Sequence, residues 1–129
     1  MRINNTLHNI AISLFIHTQA FAQFTIHNTK IERIIDGDTF VATINNKQEN
    51  VRMKCIDAPE IKQVFVSSEG VKKAIGIEAK EHLSTILSKS NTTTLKCNDG
   101  RDKYRRLTCE VFDQEGSSIN LQMVKDGYA

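Results

Sequence analysis

Beyond its first thirty residues the sequence lacks any uncharged apolar run of about 18 residues, the length a membrane-crossing helix needs. Stable membrane association is therefore not expected. It also lacks a Cys-x-x-Cys pair, and of its four histidines His8 and His17 fall within the first 22 residues. His27 and His82 each stand alone, as surface or packing residues do. A zinc site, or a nuclease site built on a histidine base, has little to stand on. Net charge is nearly absent as well, formally +2 over 129 residues. Attraction to a polyanion must then come from where the bases sit rather than from their number. No repeat or low-complexity linker interrupts residues 28–129, and the length fits one domain with one modest core.

The first 22 residues differ from the rest. "MRINNTLHN" carries one arginine and no acid, and "IAISLFIHTQAFA" is a short apolar stretch ending in Ala20-Phe21-Ala22. This reads as a secretory signal peptide, residues 1–22, cut after Ala22, with an exported domain over 23–129. Export to the periplasm or the medium is the expectation. The remaining chain holds 16 bases and 15 acids. It also holds all three cysteines, Cys55, Cys97 and Cys109. An exported chain favours one disulfide with one thiol left over.

"TKIERII" and "TFVATIN" are β-rich runs separated by the turn Asp36-Gly37-Asp38. After a second turn at Asn45-Asn46, "VRMKCI" alternates, with Val51, Met53 and Cys55 on one face and Arg52 and Lys54 on the other. Residues 61–76 read as a loop. "IEAKEHLSTILSK" places Ile77, Leu83, Ile86 and Leu87 at near-helical spacing. "TTTLKC" and "RLTCEVF" are two further strands joined by a basic loop, and "SSINLQMVKDG" is a helix starting near Ser118 or Asn120 and stopping at Gly127. The order β-β-β-α-β-β-α predicts an α+β, mainly β fold, a five-stranded OB-type barrel. On that layout Cys97 faces Cys109 across a hairpin, and Cys55 is expected to be a buried free thiol beside Met53.

Three stretches carry chemistry. In "IDAPE", Pro59 fixes its own φ and pushes Ala58 to an extended backbone, which stiffens the relation of Asp57 to Glu60. Asp38, nineteen residues upstream of Asp57, lies on the other acidic turn, "IDGDT". Asp38, Asp57 and an intervening backbone carbonyl form the all-oxygen donor set that a hard cation such as Ca²⁺ takes, with Glu60 in reach of a water. In "GRDKYRRL", Arg101, Lys103, Arg105 and Arg106 against Asp102 give +3 over six residues, with Tyr104 as a stacking platform. Taken alone, each stretch reads more readily as a solvated turn. Together, acids for a cation, an acid for a base and arginines for a phosphate point to phosphodiester hydrolysis.

The series "IDGDT", "VRMKCIDAPE", "DKYRR" and "INLQMVKDGYA" resembles the staphylococcal nuclease (thermonuclease) family over about residues 29–129. The resemblance implies a five-stranded OB-type barrel and Ca²⁺-dependent cleavage of DNA and RNA leaving 3′-phosphate ends. It implies that Asp38, Asp57 and the carbonyl of Ala58 hold calcium, and that Glu60 is the general base. Arg52 and Arg106 would bind phosphate, and Lys103 and Tyr104 would contact a nucleotide phosphate and sugar. Two positions depart from the pattern. Ala58 replaces a threonine, which leaves a carbonyl ligand intact. Arg105 stands where the family carries glycine, and arginine does not adopt φ > 0 freely; if the loop needs that backbone, the hairpin tip shifts, and Arg106 with it. Relatives also continue beyond Ala129, so the chain reads as a shortened domain or a fragment. The leading expectation is a monomeric exported calcium-dependent nuclease. The alternative is an OB-type module with a degenerate site that binds nucleic acid or protein without cutting. The completeness of the acid and arginine set favours the enzyme.

Overall fold

In the computed structural model, residues 22–129 are described. The expected signal peptide lies outside them except for Ala22. The elements are β1 (Gln23–Ile26), β2 (Lys30–Asp36), β3 (Thr39–Ile44), β4 (Lys47–Met53), β5 (Phe65–Val66), β6 (Lys72–Lys73), α1 (Ile75–Lys89), β7 (Thr94–Asn98), β8 (Leu107–Phe112) and α2 (Ile119–Lys125). The expected order holds, with two additions: β1, and the two-residue hairpin β5–β6 inside the expected loop 61–76.

The meander β2–β3–β4 follows from its turns. Asn45 and Asn46 both have positive φ, 52° and 62°. That is the two-residue turn whose twist matches the right-handed twist of paired strands. Two register shifts in the β2–β3 ladder, between Ile31 and Arg33 and between Ile34 and Asp36, coil the first ribbon further. The main sheet runs β1-β7-β8-β4-β3-β2, and all its pairs are antiparallel except β4–β8.

The edge strands β1 and β2 are joined by residues 27–29 alone, so the sheet must curl until its edges meet. At the meeting point the Thr29 N–H donates to the Thr93 carbonyl at 2.8 Å. No ladder joins β1 to β2, so the barrel is brought round rather than sealed. Taken as two halves of one kinked first strand, β1 and β2 reduce the six strands to the expected five. The fold is α+β, dominated by strands, and of OB type.

Phe40, Val51, Met53, Leu83, Leu95, Cys97, Cys109, Val111 and Met123 are wholly buried in one core. α1 turns Gly76, Ala79, Leu83 and Leu87 inward. Ile77, expected on that face, is 44% exposed. α2 starts at Ser118, whose hydroxyl accepts from the Leu121 N–H at 3.2 Å. It stops at Gly127 (φ 82°), where the Gly127 and Tyr128 N–H groups return to the carbonyls of Val124 and Met123. His82 on α1 fills the packing role expected of it: its ring stacks on Tyr128 with centroids 4.1 Å apart, and Nε2 lies 2.6 Å from Asp126 Oδ2.

Cys97 and Cys109 sit directly opposite in the β7–β8 ladder and are bonded. Cys55 is a correction. It is free, as expected, but exposed rather than buried. β4 ends at Met53, and Cys55 turns into the left-handed region at φ 64°, so the two-residue alternation that would have pointed it inward no longer applies.

Asn120, on the buried side of α2, ties the sheet together where β4 and β8 part. Its Oδ1 accepts from the Val111 N–H at 2.9 Å, and its Nδ2 donates to the carbonyls of Lys54 at 2.9 Å and Cys109 at 3.3 Å. Asn120→Ala leaves the Val111 N–H and the Lys54 carbonyl without these partners, each worth roughly 1–3 kcal/mol when orphaned. Urea unfolding should show a loss of about 2 kcal/mol or more at an unchanged m-value. A second expectation concerns the thiols. Without reductant, iodoacetamide should modify Cys55 alone, and modification of Cys97 or Cys109 before reduction would contradict the pairing.

Candidate active site

Asp36, Asp38, Thr39, Arg52, Asp57, Ala58, Glu60, Tyr104 and Arg106 line one cleft of about 330 Å³. Every site residue expected from sequence is there except Lys103, whose Nζ lies 5.1 Å from the Tyr104 ring centroid. Asp36 and Thr39 are additions. The Asp-Gly-Asp-Thr run held the signal, since a two-residue turn brings its flanking side chains to one end of the hairpin.

Three chain segments build the cleft. The β2–β3 turn supplies Asp38, whose carboxylate is held from both sides. Oδ1 accepts from the Thr39 hydroxyl at 2.8 Å and Oδ2 from the Ala58 N–H at 2.7 Å. Its own N–H donates to Asp36 Oδ1 at 3.0 Å, and its carbonyl accepts from the Met53 N–H at 2.8 Å. The bond to Ala58 ties the two acidic turns together. Burial, reinforced by the neighbouring Asp36, raises the Asp38 carboxyl above the usual aspartate range despite those donors.

The end of β4 and the segment after it supply Arg52, Asp57 and Glu60. Arg52 lies between two wholly buried residues, Val51 and Met53, so period two sends it outward. Its Nη2 stands 3.3 Å from Asp38 Oδ2 and 3.4 Å from Asp57 Oδ1. The Asp57 side chain is 94% exposed, so its pairing counts for little energetically.

The loop before β8 supplies Tyr104 and Arg106. Asp102 organises it: Oδ1 accepts from the N–H groups of Tyr104 (2.9 Å) and Arg106 (2.8 Å), and Oδ2 from Arg106 Nε (2.8 Å). Slight burial opposes ionisation of Asp102, but those donors outweigh it and hold its carboxyl below the usual range. Arg106 Cζ sits 5.1 Å from the Tyr104 ring centroid. Arg101 is not an open phosphate ligand here. It makes a two-pronged pair with Glu49 on β4, at 2.7 and 3.1 Å, and also donates to the Arg105 carbonyl at 3.0 Å. It anchors the loop to the barrel wall.

Arg105 resolves the departure noted in the sequence. It adopts the left-handed backbone, φ 64°, that the family glycine would supply, and Arg106 still lines the cleft. The residue carries the strain of that backbone. Left-handed backbone costs a residue with a Cβ roughly 1–2 kcal/mol, partly offset on substitution by the entropy of an unfolded glycine. Arg105→Gly should therefore raise stability by up to about 1 kcal/mol in a denaturant titration. A fall would mean that the Arg105 side chain makes a stabilising contact larger than the strain.

The cleft places four carboxylates, Asp36, Asp38, Asp57 and Glu60, against two guanidiniums, Arg52 and Arg106. Its donors to a cation are oxygens only. Among the described residues no three His, Cys, Asp or Glu side chains converge as a ready-made ligand set. A cation would complete its shell with carbonyl and water oxygens, as hard divalent ions do. The oxygen-only set, with a buried carboxylate in excess negative charge, fits such an ion.

The model of a family described as staphylococcal nuclease homologue matches residues 50–129. An uncharacterized endonuclease of Haemophilus influenzae is 36% identical over 101 residues, covering 78% of this chain and 49% of that protein. Endonuclease YhcR of Bacillus subtilis is 31% identical over 102 residues, 77% of this chain and 8% of its own length. Thermonuclease of Staphylococcus hyicus is 28% identical over 100 residues, 78% of this chain and 56% of that protein. The chain spans about half the length of the first and third of these relatives, and under a tenth of the second. The family match takes in Arg52, Asp57, Glu60, Tyr104 and Arg106, and Asp38 precedes it. Covering more than half of the chain and, with Ala58, six of the residues gathered in its acidic cleft, that match makes this protein a member of the staphylococcal nuclease homologue family.

Proposed function

We propose that this chain is an exported, calcium-dependent nuclease that hydrolyses phosphodiester bonds of DNA and RNA as a monomer. The observation that carries the reading is the gathering of Asp38, Asp57, Glu60, Arg52 and Arg106 in one cleft. The printed names of the relatives, endonuclease and thermonuclease, support it. The apolar leader ending at Ala22 supports export.

Asp38, Asp57 and the Ala58 carbonyl would hold Ca²⁺, which when bound neutralises phosphate charge and lowers the pKa of nearby water. Glu60, exposed at the cleft rim, takes the proton from the attacking water. Arg52 and Arg106 donate to the phosphate oxygens as negative charge grows on them. Tyr104, 65% exposed, gives a sugar or base a face to lie on, and the Lys103 ammonium beside it meets a flanking phosphate. No serine or cysteine nucleophile is required.

A plasmid-nicking assay with Ca²⁺, with Mg²⁺ and with a chelator tests the reading. Nicking should require Ca²⁺ and be weak with Mg²⁺, which holds its waters tightly and demands stricter geometry. Glu60→Gln should fold normally and lose roughly 10²–10⁴-fold in rate, the scale of a general base. Full activity in chelator, or a Glu60→Gln rate within a few-fold of the parent, would overturn it. Binding of DNA without any nicking in Ca²⁺ would leave the chain a binding module.

A further inference from the structure

The two acidic turns of the cleft are bonded to each other through Ala58 and Asp38, and a third element presses on both. It is the first turn of α1. Gly76 meets the Glu60 backbone directly: a Cβ built on Gly76 would lie 1.8 Å from the Glu60 carbonyl oxygen, 2.5 Å from its carbon and 2.9 Å from Ile61 Cα. One turn on, Ala79 is wholly buried. A Cβ on Gly37, in the other acidic turn, would lie 2.7 Å from the Cβ atoms of both Ala79 and Ala58. Neither Gly37 nor Gly76 has positive φ, so close approach rather than backbone freedom demands glycine there. By contrast Gly70, Gly100, Gly116 and Gly127 face open space.

We infer that Gly76 is a positioning residue for Glu60, with α1 as the abutment that sets how far Glu60 stands from Asp38. Glu60 needs one. The chain after it runs through an exposed hairpin, where Phe65, Val66 and Val71 are all more than half exposed, before it returns at α1. Two hydrogen bonds pin that return to the Glu60 segment. Gln63 N–H donates to the Glu60 carbonyl at 2.8 Å, and Gly76 N–H to the Gln63 carbonyl at 3.3 Å. A methyl at Gly76 has no flexible side chain to displace, because what it meets is backbone. Bringing that contact out to 3.0 Å, below which real Cβ contacts essentially never fall, moves Glu60 and α1 apart by about 1 Å. A shift of that size in a reacting group costs about 10²-fold in rate. Arg52, Arg106 and Tyr104 come from other elements and stay where they are.

The inference rests on Glu60 acting as the base, and the test separates the two. In the full chain, Gly76→Ala should lower kcat by about 10²-fold, with KM within about threefold and calcium affinity, by calorimetry with Ca²⁺ alone, within a few-fold. Leu87→Ala, at the far end of the same helix and in the core, should lose stability yet keep kcat within about twofold. If Gly76→Ala does not fold, Ala79→Gly decides. It removes the Cβ on which the Gly37 turn rests, folds, and by letting that turn and Asp38 move against α1 should lower kcat several-fold at unchanged KM. Parental kcat in the deciding variant beside an inactive Glu60→Gln overturns the positioning role alone. So does a loss in Gly76→Ala in which KM rises and calcium affinity falls as far as kcat falls. Parental kcat in Glu60→Gln overturns the reading beneath it.

Discussion

The parallel seam between β4 and β8 is the constraint from which the rest of the cleft follows. It is short: Val51, Arg52 and Met53 pair with Leu107, Thr108 and Cys109. Val51, Met53, Leu107 and Cys109 all turn into the core, so the residues between and before them turn out. Arg52 and Arg106 therefore reach one outer face from strands far apart in sequence. Parallel neighbours cannot share a tight turn, and here the chain between them passes through the Glu60 segment, α1 and β7. Thus the crossover that the seam requires is also what carries Glu60 and its abutment to the cleft. Asn120 bonds to β8 and to Lys54, one residue past β4, where the seam ends, and the disulfide ties β8 to β7 on its other side.

The basic loop has two jobs, divided by its pairing partners. Arg101 goes to Glu49 and Arg106 to Asp102. The first pair anchors the loop to β4, and the second aims a guanidinium across the Tyr104 ring. Neither pair is deeply buried, so their worth lies in direction more than in stability. Among the described residues Lys103 and Arg105 make no ion pair, so on the proposed function they are the charges left to attract a polyanion.

Much of the barrel was legible because short-range rules govern it. Asp-Gly-Asp and Asn-Asn turns with alternating apolar residues are enough for β2 to β4, and Ser118 with Gly127 brackets α2. Three motifs, "IDGDT", "VRMKCIDAPE" and "DKYRR", likewise carried the cleft residues. What the sequence hid depends on contacts between distant positions. β1 exists because it pairs with β7, some seventy residues on, and β5–β6 is too short for any period to register. The Arg101–Glu49 pair spans 52 residues, and nothing local marks it. Cys55 was misjudged because alternation was carried two residues beyond the end of β4. Arg105 was read by glycine's rule, but the surrounding bonds, Asp102 to its N–H and Arg101 to its carbonyl, hold it in a backbone it would not choose.

The acids of the cleft are unequally prepared. Asp38 is 4% exposed, and a hydroxyl and an N–H fix both of its oxygens before any ligand arrives. That preorganisation carries an electrostatic cost, visible in its raised carboxyl pKa, which a positive charge in the cleft relieves. In this structure Arg52 supplies part of that charge, standing between Asp38 and Asp57. Asp57, almost wholly exposed, has no such fixing and must be ordered when a ligand binds. Glu60 lies between these extremes: its side chain is free in solvent while its backbone is clamped by Gly76 and Gln63. That division, a fixed origin and a carboxylate still able to meet a water, suits the general-base role proposed for Glu60.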